Sequence, residues 1–193
     1  QVSMKGKVTQ LELGVFTESG WHVSDSGHVA LAGANATSFR EVYLAEPAQK
    51  QRPQRIQKLT DFGAQITGWE LGTVETIRWQ SRDGTEIEGV RRKPAGFNPN
   101  KQYPLVFVVH GGPNWYSADD LLSFDDLHYY PALQFNLKEV LVLKPNYRGS
   151  LGRGQAFLEL NVNNLGVGDL WDMESAVDHL VNLGWADPQK VGC

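Results

Sequence analysis

The sequence is poor in the residues from which small secreted domains and metal sites are built. It has one cysteine, Cys193, among 193 residues. One cysteine excludes a disulfide framework within the chain and any metal site made of several cysteines. His22, His28 and His128 have no ligand-like partners nearby in the sequence. We therefore expect neither a metal nor a cofactor, and the cysteine content fits a reducing compartment.

Long apolar runs and a one-sided charge are also missing. No stretch approaches the roughly 20 apolar residues that a membrane-spanning helix needs. The net charge is −4, from 18 basic and 22 acidic residues. The one dense basic cluster, at 91–93, reads as a solvated strand end. We therefore expect neither a membrane nor a nucleic acid as partner.

The two ends of the chain give less information. Residues 1–5 contain no hydrophobic region of a signal peptide, which favours a cytoplasmic location. The sequence begins and ends in mid-pattern, so we expect an internal segment whose partner is the remainder of the same polypeptide. Homo-oligomerisation stays open.

Residues 1–72 predict β-structure only. Short strands are expected at 7–13, 28–32, 40–45 and 56–60, and a loop is expected at 33–38. This spacing fits a sandwich, a barrel or a propeller blade. Residues 59–72 read as a connector.

Residues 73–193 alternate between strands and helices. Runs at 73–80 and 85–91 flank Asp83-Gly84, a strong hairpin signal. Apolar strands are expected at 105–109 and 139–144, and a further strand from 190. The alternation is typical of an α/β fold with a parallel sheet.

Two helices are expected between these strands. In the first, within 117–136, Pro131 suits a first helical position, and Leu133 and Leu137 should face inward. In the second, at 169–183, Asp169 reads as the N-cap and Gly184 as the terminator. Its inward face is expected to consist of Leu170, Met173, Val177 and Leu180.

The turn His110-Gly111-Gly112-Pro113 follows the apolar strand at 105–109. Acyl transfer creates an oxyanion, and losing one backbone N–H donor to it costs roughly 3–4 kcal/mol. A turn of this kind is the expected oxyanion element of α/β-hydrolases, and a tight turn without a ligand is the alternative. In such hydrolases the catalytic histidine follows the nucleophile, so His110 is better read as support than as base.

A second glycine-rich loop, at 146–154, lacks the spacing of phosphate-binding loops. Loops at the carboxyl ends of sheet strands usually line a pocket. The expected pocket wall consists of Asn114, Trp115, Tyr147 and Arg148. Arg148 could also orient an acidic group or be structural. Asp169 and Asp172 lie three apart in a first helical turn, where helix capping explains them.

Taken together, the motifs resemble those of the prolyl oligopeptidase family of serine peptidases, nearest its acylaminoacyl-peptidase and dipeptidyl-peptidase branches. The resemblance rests on WQSRDGTEIEG, YPLVFVVHGGP, NYRGSLGRG and GDLWD, followed by ADP and VG, in this order from residue 79 to 192. It covers most of the chain, and the ordered set is specific.

The resemblance implies a β-propeller that ends within residues 1–72 and the first half of an α/β-hydrolase sheet in 73–193. It implies that the backbone at Gly111 and Gly112 contributes to an oxyanion hole, to which His110 could add its side chain. The nucleophile elbow G-x-S-x-G would follow shortly after Cys193, and the rest of the triad further on. The segment alone is therefore expected to be inactive.

The function favoured is hydrolysis of short peptides through an acyl-enzyme. A carboxylesterase or lipase shares the H-G-G element, but the β-rich segment and the N-Y-R-G-S loop count against it. A propeller-based binding module with a degenerate hydrolase domain is a third, non-catalytic interpretation.

Overall fold

The computed structural model describes two compact units, which divide after residue 68. Residues 13–15, 20–47, 55–112, 114–123, 126 and 129–193 are described. The strand expected at 7–13 lies outside them. The chain is a mixed α/β protein with two separate sheets.

The first unit contains a four-stranded antiparallel sheet in the order β1-β2-β3-β4. Its strands are β1 Trp21–Val23, β2 Val29–Asn35, β3 Ser38–Ala45 and β4 Ile56–Lys58. The strands expected at 28–32, 40–45 and 56–60 are confirmed. The loop expected at 33–38 is confirmed in place but is only two residues long, at 36–37. The Asn35 side chain accepts a hydrogen bond from Thr37 N at 2.9 Å and closes this tight turn.

The connector after β4 is anchored to this sheet by a buried carboxylate. Glu41 on β3 accepts hydrogen bonds from the amides of Phe62 and Gly63, at 2.9 and 2.7 Å. It also accepts one from the hydroxyl of Thr60. These bonds hold the start of a short 3-10 helix, Phe62–Ile66, against the strand.

The second unit contains a five-stranded sheet in the order β5-β6-β8-β7-β9. The strands are β5 Thr73–Gln80, β6 Glu86–Lys93, β7 Tyr103–Phe107, β8 Leu141–Asn146 and β9 Ala186–Gly192. β7 is parallel to both β8 and β9, whereas β5-β6 and β6-β8 are antiparallel. The sheet is therefore mixed rather than parallel, because the predicted hairpin β5-β6 joins its edge.

Backbone pairing with neighbouring strands decides where each strand begins and ends, and these residues differ from the ends of the apolar runs. β7 begins two residues before the run at 105–109, because Tyr103 N donates to Trp185 O at 2.8 Å. Its pairing then brings Ala186 into β9, four residues before the predicted start. β8 likewise ends at Asn146 rather than at 144.

The helices whose bounds lie within the described residues of the second unit are α1 Ala132–Leu137, α2 Gln155–Glu159 and α3 Gly168–Asn182. The prediction that Leu137 faces inward is wrong, since it is 60% exposed. Ala132 and Asn136 are the buried positions of α1. No helix in the described residues is long and apolar enough to cross a membrane.

The position of the longest helix, α3, is confirmed, and Met173, Val177 and Leu180 of its predicted inward face pack in the core. The prediction for Leu170 is wrong. Leu170 is 50% exposed, and Asp172 is fully buried in its place. Asp169 is not the N-cap; that position is Val167, and the Asp169 carboxylate reaches only Leu170 N. Gly184 has a φ of 76° and ends the helix as expected.

Alternate residues of β7 and β8 face opposite sides of the sheet. Leu105, Phe107 and Leu143 pack with Ala176 and Leu180 of α3. On the other face, Val108 and Val142 pack with Ala132 of α1 and with Phe135. Helices therefore cover both faces, which leaves the loops at the carboxyl ends of the two strands to form a surface.

Candidate active site

The H-G-G turn and the 147–151 loop meet because β7 and β8 are parallel neighbours. Phe107 pairs with Leu143, so the residues after each strand leave the sheet side by side. Asn146, the last residue of β8, binds the segment that follows the turn: its side chain accepts from Ser117 N at 2.7 Å and donates to Ser117 O at 2.9 Å. The turn is therefore backed by a fixed loop.

His110 is held on three sides. Its ring stacks on Tyr147, with centroids 4.6 Å apart and planes 19° apart. Its Nδ1 lies 3.0 Å from the carbonyl oxygen of Gly111, and its Nε2 lies 3.0 Å from the hydroxyl of Ser150. A carbonyl only accepts, so Nδ1 carries the proton and Nε2 accepts from Ser150.

The protonation of His110 follows from its surroundings. Burial lowers the pKa of His110 and outweighs the opposing hydrogen bond to Gly111. The neutral imidazole is therefore favoured, in the tautomer that the two hydrogen bonds require.

The contact between Ser150 and His110 does not form a catalytic pair. Ser150 is completely buried, so a substrate carbonyl cannot reach its hydroxyl. The Nδ1 of His110 bonds a backbone carbonyl, whereas a triad histidine is oriented there by a carboxylate. Both side chains instead support the turn.

The two glycines of the turn are needed for different reasons. Gly112 has a φ of 128°, and a Cβ there would lie 2.9 Å from Asn114 N and 3.0 Å from Trp115 N. Only glycine fits without strain at this position. Gly111 has no such φ, and a Cβ there would meet no atom within 4 Å. Gly111 is exposed, so its backbone is open to a ligand.

Both glycine amides are unengaged in the described part of the chain. Neither Gly111 N–H nor Gly112 N–H donates a hydrogen bond to a described residue. The carbonyl on the other side of each peptide is bonded: His110 O accepts from the Tyr147 hydroxyl at 2.8 Å, and Gly111 O from His110 Nδ1. Among the described residues, the turn thus presents two donors without a partner on a fixed backbone.

The four residues expected to form a pocket wall have different environments. Asn114 is exposed, and Trp115 is 48% exposed while its carbonyl accepts from Leu151 N at 3.1 Å. Tyr147 is buried against His110. Arg148 is only 2% exposed, so its guanidinium lines no open surface.

Arg148 lies at the centre of a buried ion cluster. Its backbone N donates to Asp172 at 2.8 Å, and its guanidinium donates to both Asp172 and Asp83, at 2.8 and 2.9 Å. Ser81 donates to Asp172 at 2.6 Å. The Arg148 hydrogen bond holds the pKa of Asp83 well below its usual range, and Asp172 raises the pKa of Arg148.

The capping explanation of Asp172 is therefore wrong. It lies on the buried face of α3, four residues before Ala176 and eight before Leu180. A carboxylate at a core position of an amphipathic helix signals a buried cationic partner, and Arg148 is that partner. The link between them could not be read from spacing, because 24 residues separate them.

A second ion cluster joins β6 and β8. Arg92, expected to be solvated, is 3% exposed, and its guanidinium lies 3.6 Å from Asp126. Lys144 contacts the same carboxylate at 2.5 Å and donates to Ser123 at 3.1 Å. The cluster fixes the segment before α1 to the sheet. In the described residues, no three His, Cys, Asp or Glu side chains gather as they would around a metal.

The sheet and the site together define the class of protein. The chain is a mixed α/β protein whose hydrogen-bonded loops meet at the carboxyl ends of two parallel strands, where such folds bind ligands. Residues 128–193 match the model of the prolyl oligopeptidase family. This match confirms the resemblance that the motifs indicated.

The chain is also similar to curated peptidases. The chain is 27% identical over 172 residues to dipeptidyl-peptidase 5 of Arthroderma otae, covering 86% of this chain and 22% of the relative. It is 28% identical over 161 residues to the uncharacterized peptidase YuxL of Bacillus subtilis, covering 78% and 23%. The chain thus spans less than a quarter of their length.

Solved structures share the fold. An acylaminoacyl peptidase of Pyrococcus horikoshii superposes with a TM-score of 0.73 at 21% identity, covering 97% of this chain and 28% of its own. A puromycin-hydrolyzing peptidase of Mycobacterium tuberculosis gives a TM-score of 0.69 at 24% identity, covering 86% and 25%.

Proposed function

We propose that the full-length protein carrying this chain is a serine peptidase that cleaves short peptides through an acyl-enzyme. In this proposal, Gly111 N–H and Gly112 N–H donate to the oxyanion of the tetrahedral intermediate. The observation that carries it is a pair of amides that no described residue engages, on a turn whose carbonyls are already bonded. Dipoles fixed in advance stabilise a developing charge without reorganising during the reaction.

The chemistry assigns a limited task to this chain. A serine attacks the peptide carbonyl, a histidine takes the serine proton, and the carbonyl oxygen gains a negative charge. The turn would hold that oxygen. Ser150, the serine bonded to His110, is buried and cannot serve as this nucleophile. From the family resemblance, we propose that the serine, its acid and its histidine follow residue 193.

The peptidase assignment is supported by the family match and by the names of the relatives. The identified relatives include a dipeptidyl-peptidase and an uncharacterized peptidase. We further propose that residues 1–72 end a β-propeller that limits substrate size and that residues 73–193 begin the hydrolase domain. The antiparallel sheet of the first unit is compatible with a propeller blade.

The test uses a fluorophosphonate probe and two substrate classes on the full-length protein. We expect labelling of one serine, mapped by mass spectrometry to a G-x-S-x-G sequence after residue 193, and faster turnover of peptide anilides than of p-nitrophenyl esters. The 1–193 segment, as the matched control, should not label.

Three results would overturn parts of the proposal. Faster turnover of esters would make the protein an esterase, and no labelling of the full-length form would favour a binding module. Labelling of Ser150 would refute the assignment of the nucleophile.

A further inference from the structure

The two candidate donors belong to two successive peptide groups. In a trans peptide the C=O and the N–H lie in one plane and point in opposite directions. Gly111 N–H shares its plane with the carbonyl of His110, and Gly112 N–H shares its plane with the carbonyl of Gly111. Whatever holds a carbonyl therefore also aims the N–H opposite it.

Each carbonyl is held by a different side chain. The Tyr147 hydroxyl donates to His110 O at 2.8 Å, and this bond orients Gly111 N–H. The Nδ1 of His110 donates to Gly111 O at 3.0 Å, and this bond orients Gly112 N–H. Ser150 bonds Nε2 at 3.0 Å, and a hydroxyl that donates there requires the proton to be on Nδ1.

We propose that Tyr147 and Ser150 are positioning residues for the oxyanion hole: Tyr147 aims the Gly111 amide directly, and Ser150 aims the Gly112 amide through the tautomer of His110. This inference rests on the proposed function. Neither side chain touches the substrate. Each acts by removing a rotation of a peptide group that glycine would otherwise allow.

The loop that carries both residues is itself anchored. Between them, the backbone N of Arg148 donates to the buried carboxylate of Asp172 at 2.8 Å. A Cβ at Gly149 would lie 2.6 Å from the Cβ of Asn161, so the loop is packed closely here. The tyrosine and the serine are thus presented from a rigid base, as a positioning role requires.

Packing is the competing explanation, because the Tyr147 ring also stacks on His110. The hydroxyl groups separate the two explanations. Tyr147→Phe keeps the stacked ring and removes only the bond to His110 O. Ser150→Ala removes only the bond to Nε2. Tyr103→Phe is the matched control, since its buried hydroxyl accepts from Asn98 N at 2.8 Å near the other end of β7.

The experiment measures kcat, KM and the melting temperature of these variants in the full-length protein with a peptide anilide. We expect Tyr147→Phe and Ser150→Ala each to lower kcat about 3- to 10-fold, the equivalent of one hydrogen bond, with KM unchanged. Tyr103→Phe should lower the melting temperature by a similar amount as Tyr147→Phe and leave kcat unchanged.

Two substitutions of His110 test whether its bond to Gly111 O is the one that supports kcat. His110→Asn can place an amide N–H near the position of Nδ1 and still hold Gly111 O. His110→Gln can reach Ser150 but loses that bond. We therefore expect the Asn variant to retain more kcat than the Gln variant, although Gln is closer to histidine in size.

The outcomes separate this inference from the proposed function. If the wild-type protein neither labels with the probe nor cleaves peptides, the proposed function fails and the inference falls with it. If the wild type cleaves peptides but Tyr147→Phe and Ser150→Ala keep full kcat, only the inference is overturned. If Ser150→Ala does not fold, Tyr147→Phe and His110→Asn against His110→Gln still decide it.

Discussion

Replacing Asp172 by alanine should weaken the second unit far more than replacing Glu174, its near neighbour on α3. Asp172 is fully buried and accepts hydrogen bonds from the guanidinium and backbone of Arg148 and from Ser81. Removing one partner of a buried ion pair costs about 3–5 kcal/mol. Asp83 still pairs with Arg148 at 2.9 Å, so we expect the lower end, about 3 kcal/mol.

The control substitution, Glu174→Ala, also removes a carboxylate, but from an exposed position. Glu174 pairs with Arg82 at 2.6 Å, but the side chains are 49% and 61% exposed. An exposed pair contributes at most about 1 kcal/mol. Both substitutions remove a carboxylate from the same helix, so differences in helix propensity are small.

Hydrogen exchange measured by mass spectrometry on the full-length protein is the suitable assay, since it reports local opening. A loss of 3 kcal/mol should speed exchange in peptides covering 146–154 by about 100-fold. Glu174→Ala should change it less than about fivefold. Equal effects of the two substitutions would refute the assignment of Asp172 as the anchor of the 147–151 loop.

Three further predictions concern the turn and the second ion cluster. Gly112→Ala should destabilise the turn by about 2 kcal/mol, because of its positive φ and its close contacts, and should lower kcat about 100-fold. Gly111→Ala should leave thermal stability nearly unchanged, so equal melting temperatures of the two variants would contradict this prediction. Lys144→Met should lower the free energy of unfolding, measured by chemical denaturation, by about 3 kcal/mol. Lys101→Met should lower it by less than about 1 kcal/mol, because Lys101 pairs on the surface. A loss below about 1 kcal/mol for Lys144→Met would contradict a stabilising role of the second ion cluster. Burial alone would raise the pKa of Asp126, but the charges of Lys144 and Arg92 and the hydrogen bonds from Lys144 and Ser123 together outweigh burial and lower that pKa. The resulting stabilisation is complete above the unfolded value of about 3.9 and is lost as the pH falls through the folded value. Acid melts should show this loss, and Lys144→Met should weaken it.

The sequence predicted the regular elements well, because their signals are local. The hairpin around Asp83-Gly84 formed where the dipeptide indicated, and Gly184 ends α3 with the positive φ that its position predicted. Strand ends were shifted by two to four residues, since backbone pairing with a neighbouring strand decides them. Tyr103 and Ala186 joined strands for this reason.

The site was less predictable, because its contacts join distant parts of the chain. Ser150 lies 40 residues from His110, and the N-Y-R-G-S motif that contains it does not indicate a contact with His110. One signal was available: the residues after two adjacent parallel strands leave the sheet at the same edge, which places Ser150 beside His110. The buried roles of Arg148 and Asp172 depend on tertiary packing, which propensity and spacing do not encode.

The two successive glycines of the turn have different roles. Gly112 satisfies a backbone conformation, and Gly111 leaves space above the turn. A motif search treats the two positions as equivalent, but the structure separates them. This difference between the two glycines is testable, since only substitution of Gly112 should strain the backbone.

The central claim is that the Gly111-Gly112 turn stabilises an oxyanion. A crystal structure of the full-length protein after reaction with a fluorophosphonate tests it most directly, because the phosphonyl oxygen occupies the place of that oxyanion. We predict this oxygen about 2.7–3.1 Å from the backbone nitrogen of Gly111, Gly112 or both. A covalent adduct whose oxygen is bound by other donors, with both glycine amides left free, would contradict the account.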